Sequence, residues 1–290
     1  MSQFLQLFFS GTTVGATYAL AALGFSMIYN ASGVINFAQG EFIMLGGMVA
    51  AVLSAAGVSL PLAILAAVVV VTLVGLLIEK LAIEPARDAD ITSIIIITIG
   101  VAMIVRGAVE VTLGKASHAL PHFSGEKPIA IGGATLLPQS LWVMAVTTLV
   151  VVALALFFGR TRMGKGILAT AHNRLAAQLV GVDVKKVLLA SFGLAAALGA
   201  VGGILIAPIA TTSYDAGLML GLKGFVAATF GGLGSGVGAI AGGVLLGLIE
   251  TMTAGYVSSA YKDAVPFVLV LVVLVVRPRG LFGLGSTDRV

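Results

Sequence analysis

Long runs without a charged residue constrain the fold of this chain more than any other feature. Residues 42–78, 187–214 and 224–249 contain no Asp, Glu, Lys or Arg. An α-helix crosses the hydrocarbon core of a bilayer with about 20 apolar residues, and each run is long enough for at least one crossing. With 59% hydrophobic and 10% charged residues, the chain does not suit a soluble globular domain. We therefore expect an all-α polytopic membrane protein.

Glycine, proline and polar residues divide the apolar runs into about eight to ten transmembrane or re-entrant helices. The predicted helices span 10–29, 42–57, 61–79, 91–113, 138–158, 187–207, 221–233, 237–255 and 263–276. The seventh of these is too short to cross a membrane comfortably. No other stretch is large enough for a soluble domain, so residues 1–290 are taken as one transmembrane domain.

A polar island at 159–186 separates two apolar runs and holds six of the sixteen Lys and Arg residues. Two more lie in 80–90 and three in the tail from 277 onward. Because Lys and Arg concentrate in short cytoplasmic loops, we expect all three segments inside the cell and the amino terminus outside. The chain start has no basic region of the kind found in a cleaved signal peptide, so the first apolar segment is expected to be retained.

One amphipathic helix is predicted within the island, from about Gly164 to Val180, with Gly181 as its cap. Apolar residues recur along it at helical spacing. They are Ile167, Ala171, Leu175 and Leu179. An apolar stripe on an aqueous loop requires a protein partner.

Polar and glycine clusters interrupt the apolar runs at matching places in the two halves, within 30–47 and 221–243. Matched broken helices are the best sequence indication of a transport path. The candidate path residues are Asn36, Gln39, Glu41, Lys223, Thr229 and Ser235. Alternatively, Glu41 and Lys223 lie at helix ends and reach the lipid headgroups.

Other ionisable residues lie at membrane depth, where a charge is costly unless it is paired or hydrated. Arg106 and Glu110 are four residues apart, so we expect them to pair on one helix face. Glu250 has no partner nearby in the sequence. It either pairs across helices, for example with Lys223, or approaches the outer headgroups.

The sequence contains no catalytic or metal-binding pattern. The long external loop 114–137 is a docking or lid candidate or else a solvated connector. His118 and His122 lie in it, but no further metal ligand accompanies them. Residues 159–165 fit G-x-x-x-x-G-K, but Gly166 replaces the Ser or Thr that would hold magnesium, and a membrane helix precedes the motif. If ATP drives this protein, another chain must hydrolyse it. The basic charges suit orientation and lipid headgroups, so no nucleic-acid partner is expected.

Five sequence blocks follow one another over residues 36–283. They are 36–41 with 46–47; 163–164 followed by Asn173, Ala176, Ala177 and 181–182; 223–225; 231–235; and 277–283. Together they resemble LivH-type permeases of bacterial branched-chain amino-acid ABC importers.

The resemblance implies a non-catalytic subunit of the bacterial inner membrane. Its partners would be a LivM-type second permease, two LivG/LivF-type ATPase subunits that bind ATP and Mg, and a periplasmic amino-acid-binding protein. The resemblance also makes the island the ATPase-coupling loop, whose helix docks into a groove of the ATPase. The implied coupling residues are Gly164, Ile167, Ala171, Asn173, Leu175, Ala176, Ala177, Leu179 and Gly181.

The substrate class stays open, because similar permeases carry branched-chain or related hydrophobic amino acids, other amino acids, urea or amides. A zwitterion would need polar contacts, for which Asn36, Gln39 and helix ends at Gly221 and Gly236 are candidates. A stand-alone secondary transporter and a purely structural membrane subunit are the alternatives. The three uncharged runs disfavour proton coupling but leave sodium coordination by carbonyl groups open.

Overall fold

The computed structural model describes residues 2–87 and 89–283, and helices dominate this part of the chain. The α-helices are α1 (Ser2–Ser32), α2 (Gln39–Ala55), α3 (Leu60–Ile78), α4 (Ile91–Leu113), α5 (Pro138–Arg160), α6 (Arg162–His172), α7 (Arg174–Leu179), α8 (Val184–Ala210), α9 (Ala216–Gly231), α10 (Gly236–Tyr256) and α11 (Val265–Val276). Two short strands, β1 (Ile129–Ile131) and β2 (Ala134–Leu136), lie between α4 and α5.

Within the described residues, six helices are long and apolar enough to cross a membrane. These are α1, α3 with the turn that follows it, α4, α5, α8 and α10. The shorter apolar helices are α2, α9 and α11. All nine predicted membrane helices are present, and α4 has the predicted bounds. The chain is an all-α polytopic membrane protein, and its described residues add one small hairpin.

Except for those of α4, the bounds of the predicted membrane helices differ from the prediction at one end or both. Helix α1 begins at Ser2 and not near residue 10, because 2–9 continue the apolar helical pattern with only uncharged polar side chains. Helix α3 continues as a π-helical turn over Glu79–Ile83. Strands β1 and β2 pair antiparallel around Gly132 and Gly133, whose φ angles of 58° and 82° fit the type I′ turn of a tight hairpin.

The island does not form the single helix that was predicted over 164–180. Asn173 separates α6 from α7, because its backbone is extended and its side chain accepts a hydrogen bond from the Ala176 N–H at 2.9 Å. An asparagine that caps a new helix competes with continuation of the old one. The predicted cap at Gly181 is confirmed: its φ is 88°, and the next N–H bonds back to the Ala177 carbonyl.

Small residues allow the central helices to approach closely. Helix α1 packs along α10, where a methyl group on Gly15 would lie 2.8 Å from the Cα of Val244. Helix α8 packs on α2 in the same way, with Gly203 against the Ile43 carbonyl. Close backbone contact is the usual means of helix association in membranes. The outer helices α3, α4, α5 and α11 instead expose large apolar side chains such as Leu73, Ile104, Leu149 and Val275.

Three basic segments meet at one end of the helix bundle, as the charge pattern predicted. Lys185 at the start of α8 contacts Glu84 beyond α3 at 3.3 Å, and Arg279 of the tail lines one cavity together with His172 of the island. We call this the basic end and the opposite end, where β2 contacts α1, the hairpin end. Arg289, the last predicted basic residue, lies outside the described residues.

Candidate functional site

Helix α2 begins inside the bundle and not at its surface. Its first residue, Gln39, donates from its side-chain amide to the Ala195 carbonyl of α8 at 3.0 Å. The same side chain packs on Gly24 of α1, where a methyl group would lie 2.7 Å from the Gln39 Cδ. Gly24 lies eight residues before the end of α1, which is about 12 Å along a helix. The first predicted break is therefore a non-helical segment, 33–38, that leads from the end of α1 back into the bundle.

Helix α9 also begins beside this interior position, but from the hairpin end. Its second residue, Gly217, faces Gly40 in the first turn of α2, and a methyl on Gly217 would lie 2.8 Å from the Gly40 carbonyl oxygen. Gly221 is a mid-helix residue of α9, so its prediction as a helix end is wrong. Its lack of a side chain instead allows α9 to pack on the backbone of Gly40.

The second predicted break lies at the surface of the basic end. The chain turns there at 232–235, and the Ser235 hydroxyl accepts the Gly238 N–H at 3.0 Å to cap α10. The prediction of a helix start at Gly236 is confirmed. Asn30 of α1 donates to the Gly234 carbonyl at 2.9 Å. Thr229 and Ser235 line a cavity of about 480 Å³ at this end.

Glu41 in the first turn of α2 forms an ion pair with Arg106 of α4. The predicted pair of Arg106 with Glu110 is therefore wrong, and Glu110 contacts Lys115 at 2.8 Å. Glu41 is 1% exposed, so without Arg106 its charge would be buried and unpaired, at high cost. The alternative that Glu41 reaches the headgroups is also wrong.

A second ionic cluster joins α1, α9, α10 and the segment before α11. Lys223 contacts Glu250 at 2.7 Å and Asp263 at 2.6 Å, and the Tyr18 hydroxyl donates to Glu250 at 2.9 Å. The predicted pair of Lys223 with Glu250 is confirmed, and the headgroup alternative is wrong for both residues because both are buried. Sequence reasoning missed Tyr18 and Asp263, although Asp263 is the lone acid between α10 and α11.

A cavity of about 230 Å³ lies where α2, α4 and α9 meet. Glu41 and Arg106 supply its charged groups, and Gly217 and Gly221 lie on its α9 side. The other lining residues are apolar and include Phe25, Phe37, Ile99, Ala102 and Met103. Of the six predicted path residues, only Glu41 lines this cavity. Asn36 and Gln39 are buried beside it, where the Asn36 side chain bonds to the Ala38 N–H and so holds the turn before α2.

The nine predicted coupling residues divide between the bundle and the surface. Ile167 is buried against α8, Ala177 is buried, and Gly164 packs on the backbone of Phe157 and Phe158. The predicted single stripe is wrong, because the break at Asn173 turns α7 away from the face that holds Ile167. The surface residues are Ala171, Asn173, Leu175, Ala176, Leu179 and Gly181.

An exposed apolar patch remains on α7 and the residue after it, formed by Leu175, Leu179 and Val180, whose exposed fractions are 67%, 80% and 79%. The loop is attached to the bundle at its far side through the contact of Lys185 with Glu84. Hydrogen bonds from Lys80 and from Lys185 lower the pKa of Glu84, so this carboxylate stays charged near neutral pH. The patch is thus carried by an anchored segment.

Comparison with known proteins gives a consistent result over nearly the whole chain. The family described as "Branched-chain amino acid transport system / permease component" matches residues 7–274. The LivH permease protein of the high-affinity branched-chain amino acid transport system of Escherichia coli is 35% identical over 99% of this chain and 98% of that protein. The corresponding BraD protein of Pseudomonas aeruginosa is 34% identical over the same shares. A more distant relative, the ribose import permease protein RbsC of Escherichia coli, is 26% identical over 89% of this chain and 81% of that protein.

Proposed function

Because this chain belongs to the family of permease components of branched-chain amino acid transport systems, we propose that it is the permease subunit of an ATP-driven ABC importer. It takes up branched-chain or related hydrophobic amino acids. Near full-length identity of 35% with a permease of that type supports the assignment. The chain is a multi-pass membrane protein, and we place it in the bacterial inner membrane.

The observation that carries the importer proposal is the exposed patch of Leu175, Leu179 and Val180. A loop at the basic end that exposes three large apolar side chains needs a protein surface to cover them. In the proposed complex this surface is a groove on an ATPase subunit, and closure driven by ATP and Mg on that subunit moves α6 and α7. The basic end is then cytoplasmic, as Lys and Arg in short loops indicate.

The proposed complex contains four kinds of subunit. This chain pairs with a LivM-type second permease, two LivG/LivF-type ATPases bind ATP and Mg, and a periplasmic binding protein delivers the amino acid. The transport path runs past the interior starts of α2 and α9, where Asn36, Gln39 and Glu41 supply polar groups. Lys223 supports the path from its ionic cluster, and Thr229 with Ser235 lines the exit at the basic end.

Reconstitution in proteoliposomes tests the proposal directly. We expect ATP-dependent uptake of radiolabelled leucine with all subunits present, and loss of uptake when any one is omitted. Uptake by this chain alone would refute the importer and indicate a secondary transporter. Assembly with ATPases but no uptake of leucine would keep the importer and reject the substrate.

A pair of charge substitutions tests the patch. Leu175→Glu places a charge in the middle of the apolar contact, so we expect the ATPase to dissociate while the permease stays folded. Gln178→Glu adds the same charge to an exposed polar position of α7 and should retain the ATPase. Co-purification measures both. Equal retention of the ATPase by the two variants would contradict the docking surface.

A further inference from the structure

We propose that the cavity between α2, α4 and α9 binds the zwitterionic backbone of an α-amino acid, with Arg106 contacting its carboxylate and Glu41 its ammonium group. The inference builds on the proposed function and adds a substrate site within the permease itself. The aliphatic side chain of the substrate would lie against the apolar wall of the cavity.

Two buried polar atoms at this cavity lack hydrogen-bond partners among the described residues. They are Oε2 of Glu41 and Nε of Arg106, and both residues line the cavity. A buried polar atom without a partner carries a large desolvation cost. An ammonium group supplies the donors that a carboxylate oxygen needs, and a guanidinium binds a carboxylate through two parallel hydrogen bonds. One amino-acid backbone therefore satisfies both atoms.

Glu250 provides an internal comparison with a carboxylate that is fully paired. Its Oε1 contacts Lys223 at 2.7 Å and its Oε2 accepts from Tyr18 at 2.9 Å. Both oxygens of this buried carboxylate thus have partners within the protein. At Glu41 the ion pair with Arg106 uses Oε1 only. The lack of a partner at Oε2 distinguishes the pair of Glu41 and Arg106 from an ion pair that only stabilises the fold.

Charge balance favours a zwitterion over an amine or an acid. The pair of Glu41 and Arg106 is neutral, and a zwitterion adds no net charge when its two ends lie against opposite charges. An amine or a carboxylic acid with a single charge would leave one net charge among apolar walls, at a cost of desolvation. The site should therefore bind leucine and not its singly charged analogues.

The walls and the size of the cavity suit a small aliphatic molecule. Phe37, Ile99 and Met103 contribute to its apolar lining, and its volume is about 230 Å³, below the range of about 300–1,000 Å³ that drug-sized ligands occupy. Gly217 leaves space beside the buried carboxylate, since a methyl group there would lie 2.9 Å from Glu41 Oε2.

Thiol protection in the reconstituted complex tests the site, because this chain contains no cysteine. Met103→Cys and Leu218→Cys each place one reporter on the cavity lining, and mass spectrometry of this chain measures its labelling by a water-soluble maleimide. We expect leucine to slow labelling. Isopentylamine, which lacks the carboxylate, and 4-methylpentanoate, which lacks the ammonium group, should give no protection at the same concentration.

Substitutions assign the effect to the charged pair. Loss of a hydrogen bond to a charged group should raise the leucine concentration for half-protection about ten- to hundredfold in Glu41→Gln. Arg106→Lys keeps the charge but not the paired donors, so we expect a similar rise in the leucine concentration for half-protection. It serves as the test if Glu41→Gln prevents assembly of the complex. Glu110→Gln, on the same helix as Arg106 but paired with Lys115, is the matched control and should protect normally.

The outcomes separate this site from the importer as a whole. Leucine uptake without protection at either thiol would overturn the site and leave the proposed function intact. Equal protection by the amine, the acid and leucine, or unchanged protection in both Glu41→Gln and Arg106→Lys, would overturn it as well. Specific protection without ATP-driven uptake would support the site and count against the importer.

Discussion

The substitution Lys223→Met should destabilise the protein strongly, and its size follows from the ionic cluster. The Lys223 and Glu250 side chains are only 6% and 9% exposed and lie 2.7 Å apart. Removing one partner of a buried pair costs about 3–5 kcal/mol, mainly because the other charge stays buried. Here Lys223 also contacts Asp263, so its loss leaves two carboxylates close together. We expect a loss at the upper part of this range.

A second substitution tests the reasoning. Adding Glu250→Gln to Lys223→Met removes the stranded charge while keeping a group that Tyr18 can contact, so most of the lost stability should return. Lys115→Met is the matched control, since its pair with Glu110 is 71% and 34% exposed and is screened by solvent, so its loss should leave the free energy of unfolding nearly unchanged. The assay is the free energy of unfolding of the purified chain in mixed micelles, with ATP-dependent uptake measured in parallel.

Two results would refute this account. If Lys223→Met unfolds with the same free energy as the parent, the pair does not stabilise the fold. If the double variant is less stable than Lys223→Met, the stranded charge is not the cause of the loss. Normal stability combined with lost uptake would make Lys223 a residue of the transport path, in line with its prediction from sequence.

Three smaller perturbations follow from other contacts. Ser235→Ala removes the cap of α10 and should cost about 1 kcal/mol of unfolding free energy; an unchanged value would show that the cap contributes nothing. Tyr18→Phe leaves Glu250 Oε2 without its donor and should cost about 1–3 kcal/mol in the same assay, whereas no loss would mean that water replaces the hydroxyl. Gly247→Val forces a side chain into the backbone of Gly15 and should abolish accumulation of the protein in the membrane. Gly100→Val has open space around it and should accumulate normally. Equal levels of the two variants would contradict the close packing of α1 on α10.

Hydropathy was sufficient to find the membrane helices, because a helix that contacts lipid or the protein interior is apolar along its own length. The bounds of α4 could be predicted because polar residues flank it, with Asp90 capping its start. The partner of Arg106 could not, because Glu41 is 65 residues away and only packing of α2 on α4 brings them together. Proximity along the helix favoured Glu110 instead.

The interior helix starts were only half predictable. The first was visible from Asn36 and Gln39, polar residues within an apolar stretch. The second is predicted at Gly221, because a cluster of glycines resembles a helix break. In the structure α9 instead begins at Ala216, directly after the polar residues 211–215. Glycine in a membrane helix serves close packing as often as it serves a break, and the sequence does not distinguish the two uses. Asn173 shows the opposite error: the prediction includes it in one continuous helix, whereas it caps the start of α7.

The buried start of α2 also determines the order in which this protein can be completed during synthesis. The Gln39 side chain bonds to a carbonyl that lies 156 residues later in the chain. At about 5–20 residues per second, that carbonyl is made roughly 8–30 s after Gln39. Helix α2 therefore cannot take its final place as each segment leaves the ribosome. Its polar first turn must stay hydrated, or be held by the insertion machinery, until α8 arrives and closes the bundle around it.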